Sequence, residues 1–164
     1  MQIKNLNMRT LFKINFTIVF LLLLLSCGSS KTDYNFASGK VAYLSSEGME
    51  TISVRSSGVG KDETQAKYQA ERLVFENLFF RGISSSNYNK PLVGIDEKEQ
   101  LQKHANYFNE FFNRRMQTFI LSSFQSTPKQ KSKGVVHLTM DLKINTKSLK
   151  KDLEENGIIR KFGL

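Results

Sequence analysis

The chain is poor in the residues that build covalent and metal frameworks. Of 164 residues one is cysteine, two are histidine, two are proline and none is tryptophan. A single cysteine excludes an intramolecular disulfide, and with two histidines it leaves no Cys/His set at zinc spacing. His104, on a helix beside Lys103 and Glu99, and His137, on the polar side of a strand, therefore read as surface residues. Asp141 shares that side with His137, but four strand residues put their Cα atoms about 13 Å apart, too far for a hydrogen bond. Gly58-Val59-Gly60 ahead of a helix lacks the third glycine of a phosphate loop, and Asp62 would set a carboxylate where the anion should sit. It reads as a turn. No catalytic, cofactor-binding or metal-ligating residues are expected, and the chain does not read as an enzyme.

Long apolar runs are also missing. The longest, 16–25, is about ten residues and contains Thr17, where a membrane-crossing helix needs about twenty. A one-sided charge is present but diluted. Of the net +9, three charges come from Lys4, Arg9 and Lys13, ahead of any acidic residue; without them +6 remains. The other basic residues alternate with carboxylates, as in Lys61-Asp62-Glu63 and Lys150-Lys151-Asp152, which describes a solvated surface and argues against a nucleic-acid partner.

What is there begins with a leader. A basic start, the apolar run and small Ser26 before Cys27 have the anatomy of an export signal. Leu24-Leu25-Ser26-Cys27 resembles the lipobox of bacterial lipoproteins at all four positions. The resemblance implies a signal peptide over 1–26, cleavage between Ser26 and Cys27, and a diacylglyceryl group on the Cys27 thiol with acylation, typically palmitate, of the new amine. Two or three acyl chains, at about 0.8 kcal/mol per buried CH₂, make such an anchor practically permanent. Residues 27–40, rich in Ser, Gly, Asn and Thr, read as the lipidated cysteine and a flexible tether. Gly28 follows the cysteine where, by analogy with sorting in enterobacteria, an aspartate would favour the inner membrane. The expected location is the outer membrane. Only Asp33 in the tether is acidic, which favours the periplasmic side over the cell surface.

Residues 41–164 read as a single α+β domain: a small antiparallel sheet of three to four strands with helices on one face, in the order β-α-α-β-β-α. Ile52 and Val54 alternate along a strand over 51–56, with a short strand over 41–44 before it. Asp62 and Gln65 make a capping box for a helix to about Phe80, whose Ala66, Ala70, Leu73, Val74, Asn77 and Leu78 form one stripe; Gly82 ends it. Residues 84–94 read as an exposed loop. Asp96 and Glu99 open a second helix running to about Asn113. A strand over 116–125 should put Phe119 and Leu121 on one face, and a polar turn around Pro128 fills 127–134. Val136, Leu138, Met140, Leu142 and Ile144 then mark the clearest strand. Thr146 opens a last helix to Glu155, Gly157 stops it, and Ile158, Ile159, Phe162 and Leu164 form an apolar tail expected to dock on its own domain.

The strand at 51–56, the Gly58-Val59-Gly60 step and a helix bearing Ala66, Ala70 and Leu73 resemble a family of small bacterial outer-membrane lipoproteins. Its domain is similar to the N-terminal domain of flagellar assembly protein T. Phe79-Phe80-Arg81-Gly82-Ile83, Pro91-Leu92 and the ending Ile159-Arg160-Lys161-Phe162-Gly163-Leu164 resemble, more closely, an uncharacterised outer-membrane lipoprotein group of the Bacteroidetes, over roughly 50–164. These are structural signatures and carry no catalytic residue, and flagellar involvement is not implied.

The expected task is that of a lipid-anchored, non-enzymatic cell-envelope protein acting as a protein-interaction or assembly module. Its partners would be the membrane, through acyl chains on Cys27, and an envelope protein or further copies of the chain. The polar sheet face, the 84–94 loop or the tail would make the contact. The alternative is a carrier or receptor for a lipid or other amphiphile, with Phe79, Phe80, Phe108, Phe111 and Phe112 lining a groove. Arg81, Arg114 and Arg115, at element ends, would cap carbonyls, pair with carboxylates such as Glu76 and Glu110, or meet an anionic polymer.

Overall fold

The computed structural model describes residues 41–161. Ser26, Cys27, the leader, the tether and Phe162–Leu164 lie outside the described residues. The fold is α+β. Five strands, one more than the upper expectation, form an antiparallel sheet in the order β1 (Val41–Glu47), β2 (Thr51–Gly60), β5 (Val135–Asn145), β3 (Ile120–Gln125), with β4 (Gln130–Ser132) also on β5. Among the described residues four α-helices accompany it: α1 (Glu63–Glu76), α2 (Glu97–Lys103), α3 (Ala105–Glu110) and α4 (Thr146–Glu155).

The register sorts side chains onto two faces. Ile52 lies opposite Ile144, Val54 opposite Leu142, Ser56 opposite Met140 and Gly58 opposite Leu138, and all are buried beneath α1. The intervening residues face outward. Gly58-Val59-Gly60 is not the turn expected but the end of β2. A Cβ on Gly58 would fall on the carbonyl of Ala66 and the amide nitrogen of Ala70. Glycine is there so that α1, with its own small Ala66 and Ala70, can lie directly on the sheet.

Helix α1 starts as expected: the Asp62 carboxylate accepts from the Gln65 amide at 2.8 Å, and Gln65 accepts from the Lys61 amide at 2.7 Å. It ends in a π-helical turn over Asn77–Arg81, where Gly82 N–H donates to the Asn77 carbonyl at 2.6 Å. The expected second helix is instead broken at His104 and also ends in a π-helical turn, Phe111–Arg115, followed by a 3₁₀ turn, Met116–Phe119. Adjacent phenylalanines occur in both places. A uniform helix cannot aim neighbours at one core, and the extra residue of a π turn re-aims them. Phe79, Phe80, Phe108, Phe111 and Phe112 are all buried, with Phe79 5.0 Å from Phe111 and Phe80 5.4 Å from Phe108, ring centre to ring centre.

Two further expectations need correction. The strand begins at Ile120, and a β-bulge at Leu121 between Ile120 and Ser122 separates Leu121 from buried Phe119. The stretch 127–134 is not only a turn: β3 and β4 form one interrupted edge along β5, broken around Pro128, which has no N–H to donate. The turn itself is Lys133-Gly134, with φ of 48° and 80°.

At the far end α4 runs from Thr146 to Glu155 as expected, with Asn145 as its cap, accepting from the Ser148 amide at 2.9 Å. Gly157 adopts φ of 66°, and Ile158 N–H returns to the Leu153 carbonyl at 2.9 Å, so Ile158 and Ile159 pack against the core. The docking expected of the tail is met over these two residues.

Candidate interaction surface

The outer sheet face is built from short polar residues around one ion pair. Arg55 on β2 lies opposite Asp141 on β5 and donates to both carboxylate oxygens, at 2.6 and 2.8 Å. The Arg55 hydrogen bonds hold the Asp141 carboxyl below its ordinary range, against the opposing effect of partial burial. One step along, Ser57 and Thr139 hydroxyls lie 3.2 Å apart. Asp141, which shares this face with His137 but was expected to lie too far from it for a hydrogen bond, is committed to Arg55.

Beside this polar strip the edge strand β3 presents apolar surface. Phe124, opposite Asp141, is 58% exposed, and bulged Leu121 is 52% exposed. The other edge has the same device: β1 carries a bulge at Leu44, 43% exposed. Bulges at both edges interrupt the free ladder that would otherwise template further strands. Leu121, expected to share a face with Phe119, is thus turned outward while Phe119 is buried.

The 84–94 loop is tied down rather than free. Tyr88 is buried, its hydroxyl donating to the Met49 carbonyl at 2.7 Å, and Ile83 N–H donates to the Tyr88 carbonyl at 2.7 Å. Leu92 and Val93 N–H groups donate to the Leu78 and Phe79 carbonyls, which the π turn leaves without helical partners. Lys150 sits over the Tyr88 ring at 4.9 Å.

The three arginines divide. Arg81 pairs with Glu97 at 2.6 Å and with Glu76 at 3.6 Å. Arg115 pairs with Asp152 at 2.7 Å and lies over the Tyr107 ring, while Tyr107 donates to the same carboxylate at 2.7 Å. Burial, then the Asp152 bond, push the Tyr107 hydroxyl pKa far up. Exposed Arg114 lines a shallow cleft of about 280 Å³ with Asn106, Asn109, Glu110 and Asn113. A second cleft, about 360 Å³, includes His104, Tyr107, Asn156 and Ile158 in its lining. Partial burial, then neighbouring Lys103, lower the His104 pKa. Neither cleft is lined by the five core phenylalanines.

Glu71 on α1 carries no signal that sequence reading used. It is 2% exposed, and its carboxylate accepts from Gln117 at 2.6 Å and Ser123 at 3.0 Å, with Lys67 at 3.8 Å. It therefore ties α1 to the 3₁₀ turn and to β3, which sets the edge that carries Leu121 and Phe124. Among the described residues no three His, Cys, Asp or Glu side chains are grouped to hold a metal ion. No described helix is long and apolar enough to cross a membrane. Comparison of the chain with known protein families, with curated proteins and with solved structures found no match.

Proposed function

We propose that the chain is a lipid-anchored, non-enzymatic envelope protein whose α+β domain binds another envelope protein or a second copy through its outer sheet face. The lipobox-like Leu24-Leu25-Ser26-Cys27 supports the anchor, and its likeness to outer-membrane lipoproteins supports the location. One observation carries the interaction half. Two large apolar side chains, Leu121 and Phe124, stand more than half exposed beside a preorganised Arg55–Asp141 pair, on an edge braced from within by Glu71. Apolar anchors set beside satisfied polar groups are the make-up of a protein-binding patch.

A photo-crosslinking residue at position 124 in intact cells tests this, with position 102 on exposed helix surface as the control. A discrete adduct from 124 alone, lost on Leu121→Asp, is expected; equal yields from both positions sink the interface. Labelled palmitate tests the anchor separately. It should enter the wild-type chain and not Cys27→Ala, which should leave the membrane fraction.

A further inference from the structure

We propose that the lysine-bearing β4–β5 hairpin docks on anionic phospholipid headgroups, so that this end of the sheet stands against the bilayer holding the chain. The inference rests on the lipid-anchor reading of Cys27.

Its first support is charge. Residues 127–134 are all exposed and carry Lys129, Lys131 and Lys133, and exposed Lys61 follows Gly60, which lies opposite Val136 at the same end. Among the described residues, the nearest acidic residues in sequence to Lys61 are Asp62 and Glu63. Asp62 caps α1, and Glu63 takes Lys129 at 2.9 Å. Among the described residues, Lys61, Lys131 and Lys133 have no carboxylate within ion-pair distance. At the opposite end of the sheet three lysines are matched, Lys143 with Glu47, Lys147 with Glu50 and, along α4, Lys151 with Glu155, while Lys150 sits over the Tyr88 ring.

Its second support is the turn. Lys133 holds φ of 48°, a left-handed conformation that disfavours any residue with a Cβ and for which glycine or asparagine is the usual choice in a two-residue hairpin. A lysine thus stands at the tip against local preference.

Its third support is direction. In β1, Glu47 lies opposite Thr51 and Val41 opposite Ser56, so β1 begins on the side of the sheet toward Gly60, where the hairpin is. Strand order places β1 and β4 about 14 Å apart, three strand spacings. The thirteen residues 28–40 span at most about 45 Å when fully extended. An anchor at Cys27 would therefore allow the hairpin to reach the headgroups. Contact is required, because the attraction decays over about 8 Å at physiological salt. Each lysine at an anionic surface is worth about fivefold in affinity.

The test uses the full chain purified from membranes, with Ser132→Cys labelled by an environment-sensitive fluorophore. Intact mass first reads acylation at Cys27, which also blocks that thiol from the label. The protein is reconstituted into phosphatidylcholine vesicles with or without phosphatidylglycerol, and quenching by spin-labelled lipid reports headgroup contact. Stronger quenching with phosphatidylglycerol, reversed by salt, is expected, with the docked-to-free ratio falling about 25-fold in Lys131→Gln/Lys133→Gln. An acylated chain whose quenching ignores lipid charge or the lysines overturns the docking and leaves the anchor standing. A label response that tracks protein concentration instead assigns the hairpin to a second copy and also overturns it. A chain without acyl mass overturns both readings.

Discussion

Strand β5 supplies both faces of the sheet, and the two are held by different means. On the inner face Leu138, Met140, Leu142 and Ile144 are at most 4% exposed and meet α1 through Gly58, Ala66 and Ala70. On the outer face His137, Thr139 and Lys143 are half-buried, and Asp141 is satisfied by Arg55. The inner face tolerates no added volume, since its neighbours at Gly58 are backbone atoms that no rotamer change can move aside. The outer face is free to vary in shape, and that is where recognition can be carried. Gly58→Ala should therefore give the largest loss of stability, about 3 kcal/mol or more. The outer-face neighbour Ser57→Ala should stay within about 0.5 kcal/mol. Urea midpoints with unchanged slope would read both, and equal shifts for the pair would erase the contrast between the faces.

Polar groups on the buried side sharpen it further. Glu71 is buried with two hydrogen-bond donors in place, so Glu71→Ala leaves Ser123 without its acceptor and frees the 3₁₀ turn. A loss of about 1–3 kcal/mol is expected, with faster amide exchange along β3 than along β1. Uniform exchange across the sheet would deny Glu71 its bracing role. Ser56 is the counter-case: its hydroxyl is buried opposite Met140 with no hydrogen-bond partner among the described residues. Ser56→Ala should raise stability by about 1 kcal/mol or less, because it removes an unmet desolvation cost. A destabilised variant would mean that the hydroxyl has a bonding role after all.

Much of this architecture was legible because its signals are local. The alternation from Val136 to Ile144, the caps at Asp62 and Asp96, and the stop at Gly157 each depend on a few neighbouring residues, and each holds. What misled depends on distant partners. Gly58 and Gly60 look like turn residues until Ala66 and Ala70 are known to lie on them. Phe79-Phe80 and Phe111-Phe112 were incompatible with one helical stripe, and the resolution was two π turns that no propensity scale marks. The candidate surface was half legible: the polar face followed from β5, while exposed Leu121 depends on a bulge set by register against Lys143.

The smallest effect separates the two faces by pH. Arg55 holds the Asp141 carboxyl below its ordinary value of 3.8, chiefly through their hydrogen bonds. A depressed carboxyl contributes stability that is complete above the unfolded value and is lost as pH falls through the folded one. The difference between wild type and Arg55→Met should therefore be present at neutral pH, shrink below 3.8 and disappear in stronger acid. Because Arg55 is about half exposed, with 46% of its side chain accessible, the difference should also shrink with added salt. Inner-face variants such as Ser56→Ala involve no charge, so their shift in urea midpoint should hold across the same range. If Arg55→Met instead costs as much in strong acid as at neutrality, the residue acts by covering β5 with its alkyl stem, and the outer face is held by packing like the inner one.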